Sequence, residues 1–217
     1  MNKVNAEQSR CIIIAAGEIR DYERSKNFLQ DGDFLIFCDG GLVHADGLGV
    51  RPDLIVGDFD SCNSDDLKRW EKTCETIRLP REKDDTDTMY ATRLALERGF
   101  SDFLFLGAMG GRFDHALGNV SILLYLDELG KKASLVDDYS VMQIAGTEPF
   151  YIDDSCSCFS VLTVAGDVDG VTIKNAKYPL EKASLTSDFQ LGISNEVLPG
   201  KVAEVSVELG RVLIVVS

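Results

Sequence analysis
Leu54-Ile55-Val56-Gly57-Asp58-Phe59-Asp60-Ser61 decides how the rest of the chain is read. Its three leading apolar residues, bounded by turn formers, read as a buried strand of an α/β sheet. Gly57 lets the chain turn, and two carboxylates follow at i and i+2. In an extended segment, positions two apart point the same way. Asp58 and Asp60 are therefore expected to project together from the carboxyl end of the strand, where open α/β sheets bind ligands. Two carboxylates side by side repel unless a cation sits between them. A hard divalent ion such as Mg2+, shared with phosphate oxygens, meets that need. The competing reading, in which the aspartates cap the next helix and face water, is left for the surrounding chain to decide.

The 217 residues suffice for one large or two modest domains. A hydrophobic fraction of 45% and a charged fraction of 27% are those of an ordinary globular protein. A formal net charge of −14 argues against nucleic acid as a partner, because phosphate backbones demand basic surface. The apolar run at residues 11–16 is too short for a secretory signal, and nothing is long enough to span a bilayer. The expectation is a cytoplasmic protein with no membrane partner. Six cysteines without a Cys-x-x-Cys, and only two histidines, favour free thiols over disulfides or zinc.

Outward from the opening stretch, the pattern repeats. Cys11-Ile12-Ile13-Ile14-Ala15-Ala16 and Phe34-Leu35-Ile36-Phe37-Cys38 are buried-strand runs, with a helix expected over residues 22–29 between them. Asp39-Gly40-Gly41 follows the second strand, where paired glycines allow backbone to approach a ligand and amides to face an anion. Taken alone, Asp-Gly-Gly reads better as an ordinary strand-to-helix turn. A short helix is expected over residues 42–48. Ser64 is expected to cap a helix to about residue 73, with Asp65 and Asp66 explained by the helix dipole. A fourth strand is read at residues 76–79.

The charged run Arg81-Glu82-Lys83-Asp84-Asp85-Thr86-Asp87 falls between a strand and a helix, on the same sheet edge as Asp58. Asp85 or Thr86 would cap that helix, with Asp87 in its first turn. Phe103-Leu104-Phe105-Leu106 then leads into Gly107-Ala108-Met109-Gly110-Gly111-Arg112-Phe113-Asp114-His115 and a helix with apolar residues at helical spacing. That loop lies where phosphates bind, and Arg112 offers a fork of donors to them. Neither a Gly-x-x-x-x-Gly-Lys-Ser/Thr loop nor a Gly-x-Gly-x-x-Gly fingerprint is present, which excludes a P-loop NTPase and weighs against nicotinamide or flavin chemistry.

After residue 138 strand-like runs alternate with turns, at residues 141–145, 159–164, 171–174, 202–209 and 212–216, with the period-two patterning of packed antiparallel sheets. The expected architecture is thus α/β plus all-β: a Rossmann-like parallel sheet flanked by helices over residues 1–138, and an antiparallel β-sandwich over residues 139–217.

Five motifs in register carry a resemblance. They are Cys38-Asp39-Gly40-Gly41-Leu42-Val43-His44-Ala45, the run from Arg51-Pro52-Asp53 through Ser61, Lys83-Asp84-Asp85-Thr86-Asp87-Thr88, Gly111-Arg112-Phe113-Asp114-His115, and Lys177-Tyr178-Pro179-Leu180 followed by Leu191-Gly192-Ile193-Ser194-Asn195-Glu196. Together they resemble thiamine pyrophosphokinases of the bacterial type. The resemblance implies transfer of a pyrophosphoryl group from ATP to the hydroxyl of thiamine, with release of AMP. It implies Mg2+ carried by Asp58, Asp60 and Asp87, these three acting with Arg112 as the catalytic set. It implies a nucleotide site of Asp39, Gly40, Gly41, His44, Lys83, Thr86, Arg112, Asp114 and His115, and thiamine contacts from Tyr178, Ser194 and Asn195. The β half would bind thiamine and dimerise, with each active site between two subunits of a homodimer. Animal members of the family carry a tryptophan about where Tyr178 stands, and tyrosine keeps a flat π-face for the pyrimidine.

Three other functions fit parts of the pattern. A pyrophosphokinase acting on another alcohol, such as a hydroxymethylpterin, keeps the acids but has no use for the Tyr178 and Ser194-Asn195 region. A non-catalytic nucleotide- or thiamine-binding protein has no need of the full acidic set. A phosphohydrolase would release phosphate without thiamine. In the β half, Ser194-Asn195 also passes as an ordinary turn and Tyr178-Pro179 as a strand end.

Overall fold
The computed structural model describes residues 10–82 and 84–217. They divide into two compact units, one ending at Asp138 and the other spanning Tyr139–Ser217.

The first unit is built on six parallel strands. Strand β1 (Cys11–Ile14), with all four residues fully buried, lies between β2 (Phe34–Cys38) and β5 (Asp102–Leu106). Outward from β2 come β3 (Leu54–Gly57) and β4 (Glu75–Arg78), and outward from β5 comes β6 (Lys132–Val136). The order is therefore β6-β5-β1-β2-β3-β4. The chain winds one way from β1 and then, after β4, returns to wind the other way. Beside β1, at the carboxyl ends of the strands, this reversal opens a crevice. Central strands with both faces covered read as unbroken apolar runs, which is why the sequence marks β1, β2, β3 and β5 so clearly.

Helix termini follow local side-chain chemistry. Helix α1 (Tyr22–Lys26) starts where the Asp21 carboxylate accepts the Arg24 N–H at 2.8 Å, and it is a turn shorter than expected. Residues 39–43 form a tight 3₁₀ turn, and only then does α2 (His44–Leu48) begin, so the single helix expected over 42–48 is two pieces. The cap of α3 (Ser64–Trp70) is Asn63, whose side chain accepts the Asp65 N–H at 2.9 Å, in place of the expected Ser64. Thr86 caps α4 (Asp87–Glu97), its hydroxyl accepting the Met89 N–H at 3.2 Å. Helix α5 (Phe113–Glu128) follows β5.

The second unit holds eight antiparallel strands: β7 (Val141–Ala145), β8 (Phe150–Asp153), β9 (Phe159–Thr163), β10 (Val168–Lys174), β11 (Leu180–Leu185), β12 (Gly192–Asn195), β13 (Val202–Ser206) and β14 (Val212–Val216). They lie in the orders β12-β9-β14-β7 and β11-β10-β13-β8. Alternate residues of both sets, among them Phe159, Val161 and Ile214 from one and Val171, Ile173 and Val205 from the other, share one buried core. This is the sandwich expected from the period-two pattern. The six cysteines are all free thiols. Among the described residues no helix is long and apolar enough to cross a membrane.

Candidate active site
Strands β2 and β3 end side by side, with Cys38 opposite Val56, and the next residue of each starts the site. A side chain at Gly57 would place its Cβ 2.9 Å from the Asp39 Cβ, so only glycine lets the two strand ends close up. Asp39 itself has φ +45°, in the left-handed region, which short polar residues tolerate best. The Ser61 hydroxyl donates to Asp39 Oδ2, while Asp39 Oδ1 is buried with no hydrogen-bond partner.

Asp58 and Asp60 do come together, though not by extended alternation. Phe59 between them has φ +63°, and the Asp60 N–H donates to Asp58 Oδ1 at 3.1 Å. The loop is a tight turn, with the Arg78 guanidinium 5.0 Å from the centre of the Phe59 ring. Carboxylate oxygens of Asp39, Asp58 and Asp60 all lie within 4.8 Å of one another. Three hard oxygen donors, one with a buried bare lone pair, make a set that suits a small divalent cation. Arg81 is a counter-charge beside the cluster, its Nε 4.0 Å from Asp60.

A cavity of about 430 Å³ opens beside this cluster, in the crevice of the sheet. Its walls come from the end of β1 (residues 15–18), the end of β2 (Cys38, Asp39), Ser61, the start of α4 (Thr86, Asp87, Thr88), the loop after β5 (Gly107, Ala108, Gly110, Gly111) and the start of α5 (Arg112, His115, Asn119). Such glycine-rich segments before a helix N-terminus suit phosphate. Backbones approach closely where the end of β1 meets the loop after β5. A Cβ on Gly17 would lie 2.4 Å from the carbonyl oxygens of both Gly107 and Met109.

Of the residues singled out from sequence, Asp39, Thr86, Asp87, Arg112 and His115 line this cavity, and Asp58 and Asp60 stand next to it through Asp39. Asp87 is half-buried at the first position of α4, outside the three-acid cluster. Gly40 and Gly41 face the β1 end, where a Cβ on Gly41 would meet the Ile14 carbonyl at 2.5 Å. Asp114 accepts from Arg112 Nε and Nη2 at 3.3 and 2.6 Å, and that guanidinium holds its carboxyl below the usual range. His44 is 4% exposed and does not line the cavity. Its Nδ1 lies 2.8 Å from Tyr22 Oη and its Nε2 2.8 Å from the Gly17 carbonyl oxygen. Lys83 lies outside the described residues.

Sequence reasoning missed residues 15–18 and Asn119, a buried side chain whose Nδ2 donates to the Ala108 carbonyl at 2.6 Å. The first were signalled by the strand order, which puts the end of the central strand at the crevice. Cys38 lines the cavity, and burial and then the nearby Asp87 push its thiol pKa well up, the opposite of the shift that activates a cysteine.

In the second unit, Tyr178 and Ser194 are exposed while Asn195 is 3% exposed. The Asn195 amide brackets Tyr178: Oδ1 accepts the Tyr178 N–H at 3.0 Å, and Nδ2 donates to the Tyr178 carbonyl at 2.7 Å. Oδ1 also accepts the Glu196 N–H at 2.9 Å. Asn195 therefore sets the backbone under Tyr178. Ser194, at φ +57°, is anchored by its N–H on the Ser160 hydroxyl at 3.0 Å, which leaves its own hydroxyl at the surface. Lys177 Nζ stands 5.6 Å from the centre of the Tyr178 ring and pairs with Glu196 at 2.7 Å.

Residues 25–135 match the family model described as thiamin pyrophosphokinase, catalytic domain, and residues 151–212 match the one described as thiamin pyrophosphokinase, vitamin B1 binding domain. The thiamine pyrophosphokinase of Bacillus subtilis is 29% identical over 189 residues, covering 86% of this chain and 88% of that one. Its crystal structure superposes with a TM-score of 0.85 over 97% of this chain and 99% of that one, at 27% identity. Thiamin pyrophosphokinase 1 of Caenorhabditis elegans is 22% identical over 89% of this chain and 84% of that one. The yeast thiamin pyrophosphokinase structure, at 14% identity with a TM-score of 0.80 over 98% of this chain and 87% of that one, shares the fold.

Proposed function
The chain belongs to the thiamin pyrophosphokinase family, and from that premise we propose how its residues divide the reaction, in which the pyrophosphoryl group of ATP passes to the hydroxyl of thiamine. The hydroxyl oxygen forms a bond to the β-phosphorus. The bond from that phosphorus to the oxygen bridging to the α-phosphate breaks, and AMP departs with the electron pair. The hydroxyl proton passes to one of two carboxylates, Asp58 or Asp87. Such transfers depend on alignment and on neutralising charge more than on a protein nucleophile.

The single observation that carries this reading is the Asp39–Asp58–Asp60 cluster, with the bare buried Oδ1 of Asp39, beside a glycine-walled cavity. These residues fit Mg2+. Asp58, Asp60 and Asp87 are the ligands the motif implies, and the geometry adds Asp39. Held by these carboxylates, the ion would supply positive charge to offset that of the phosphates. Arg112 and Lys83 would hold phosphate oxygens, with Arg112 exchanging Asp114 for its ligand. Thr86, His115 and the Gly40-Gly41 turn would shape the nucleotide pocket. Tyr178 would offer its ring face to the pyrimidine of thiamine, Ser194 its hydroxyl, and Asn195 would keep Tyr178 in place.

We further take the protein to be a cytoplasmic homodimer in which the α/β unit of one subunit and the β unit of another complete each site. Support for a covered surface on the β unit comes from Phe189, Leu191 and Ile193, which are 67, 48 and 57% exposed there. The deciding assay incubates the protein with Mg2+ and ATP, with and without thiamine, and separates AMP from ADP and phosphate. Thiamine-dependent AMP and thiamine diphosphate are expected. Phosphate release without thiamine would mean a phosphohydrolase, AMP only with a pterin alcohol another acceptor, and binding without turnover a sensor.

A further inference from the structure
His44 lies behind the cavity wall with both ring nitrogens engaged, and the direction of its two bonds is fixed. A carbonyl oxygen only accepts, so Nε2 must carry the proton that bonds the Gly17 oxygen at 2.8 Å. Nδ1 is then the bare nitrogen, and the Tyr22 hydroxyl 2.8 Å away donates to it. Tyr22 reaches this position because residue 47, in the middle of α2, is glycine. A Cβ there would lie 2.5 Å from the Tyr22 ring. Glycine inside a helix is unfavourable, and room for this ring explains it.

The chain Tyr22–His44 thus ends on one peptide unit, the one joining Gly17 to Glu18. Gly17 is held on its other side too, its N–H donating to the Gly107 carbonyl at 2.7 Å. In a trans peptide the N–H points opposite to the C=O. With the Gly17 oxygen drawn toward buried His44, the Glu18 N–H is turned the other way, and Gly17 and Glu18 both line the cavity. Among the described residues that N–H has no acceptor. Gly110 faces it across the cavity wall, where even a Cβ would come within 3.5 Å of the Glu18 nitrogen. The Glu18 carboxylate pairs with Arg20 Nη2 at 2.7 Å, which offsets its charge.

Resting on the function proposed above, we propose that the Glu18 backbone N–H is a donor to a phosphate oxygen of the bound nucleotide, and that His44 is the positioning residue that aims it. A well-aimed N–H on a charged oxygen is worth roughly 10- to 100-fold in affinity. The test is calorimetric titration of the full chain with ADP and with adenosine, alongside KM values for ATP and thiamine. In His44→Ala, ADP affinity should fall and the KM for ATP rise by roughly that factor, with adenosine affinity and the KM for thiamine unchanged. His44→Gln, which can still present an N–H to the Gly17 oxygen, should restore most of the loss. If His44→Ala fails to fold, Tyr22→Phe and Gly47→Ala reach the same relay from outside and should shift ADP over adenosine by roughly fivefold. Parallel losses for ADP and adenosine, or no loss in any variant, overturn the proposal. A wild-type chain that makes no AMP from ATP and thiamine refutes the function itself, an outcome separate from either.

Discussion
Asp39→Asn separates the electrostatic account of the acidic cluster from a merely structural one. Asparagine tolerates the left-handed backbone that Asp39 adopts at φ +45°, and its carbonyl can still accept from Ser61, so the loop should survive. What changes is charge. Two carboxylates at the 4.8 Å limit of the cluster repel by about 3.5 kcal/mol at an effective dielectric constant of ~20. Asp58 is half-exposed and the Asp60 side chain is 49% exposed, with Arg81 4.0 Å away. Solvent and that counter-charge reduce the penalty to about 1 kcal/mol. In EDTA the variant should therefore melt roughly 2–4 °C higher than the wild type, the range for a domain of this size. With magnesium the order reverses. Saturating metal at ~100 times its dissociation constant adds about 2.7 kcal/mol to the wild type, and the variant should lose most of this gain along with turnover. Thermal melts of both proteins, with EDTA and with magnesium, read all four values. A variant that melts lower than wild type in EDTA, or keeps the wild-type magnesium shift, refutes the reasoning.

Asp58→Asn and Asp87→Asn should each abolish AMP formation while leaving the circular dichroism spectrum intact, and near-wild-type rates in either would remove that residue from the reaction. Tyr178→Ala should raise the KM for thiamine far more than that for ATP. Asn195→Ala should do the same and also lower the melting temperature, because three backbone bonds to a buried amide are lost. Normal thiamine kinetics in Asn195→Ala would show that Tyr178 needs no such support. Burial holds the His44 pKa below its ordinary value, against the opposing effect of its bond to Gly17. On acidification below about 6.5 the unfolded chain gains a proton that the folded one refuses, so stability should fall with pH in that window. Urea melts at pH 7.5 and 5.5 should show a smaller drop in His44→Gln, and equal drops would exclude His44 as the cause.

Much of this was legible because chemistry and location coincide in an α/β fold. Buried parallel strands announce themselves as apolar runs, and whatever polar residues follow them face the ligand edge. Asp58, Thr86, Asp87 and Arg112 could be placed by that rule alone. Asp39 could not be given its full part, since its partners depend on register. Pairing Cys38 with Val56 is what brings residue 39 against Gly57 and so beside Asp58 and Asp60, and no local pattern encodes which strands are neighbours. Strand β12 was hidden for a related reason. It is four residues long, and Ser194 within it is left-handed, so it resembles a turn until β9 supplies its hydrogen bonds.

His44 shows the same limit from the other side. The family resemblance implies a nucleotide contact at His44, yet its ring is buried and both nitrogens are bonded within the protein. Sequence patterns locate residues near a site without saying whether a side chain faces substrate or holds the backbone that does. Asn195 is a second case, its amide engaged by the main chain of Tyr178 and Glu196. In both units, then, a buried polar side chain fixes a peptide at the surface proposed to meet ligand: that of Gly17 and Glu18 in one, that of Tyr178 in the other. Such preorganisation removes part of the ordering cost of binding. Substitutions at His44 and Asn195 should accordingly weaken one substrate each, ATP for the first and thiamine for the second, and a variant of either that weakened both alike would break the parallel.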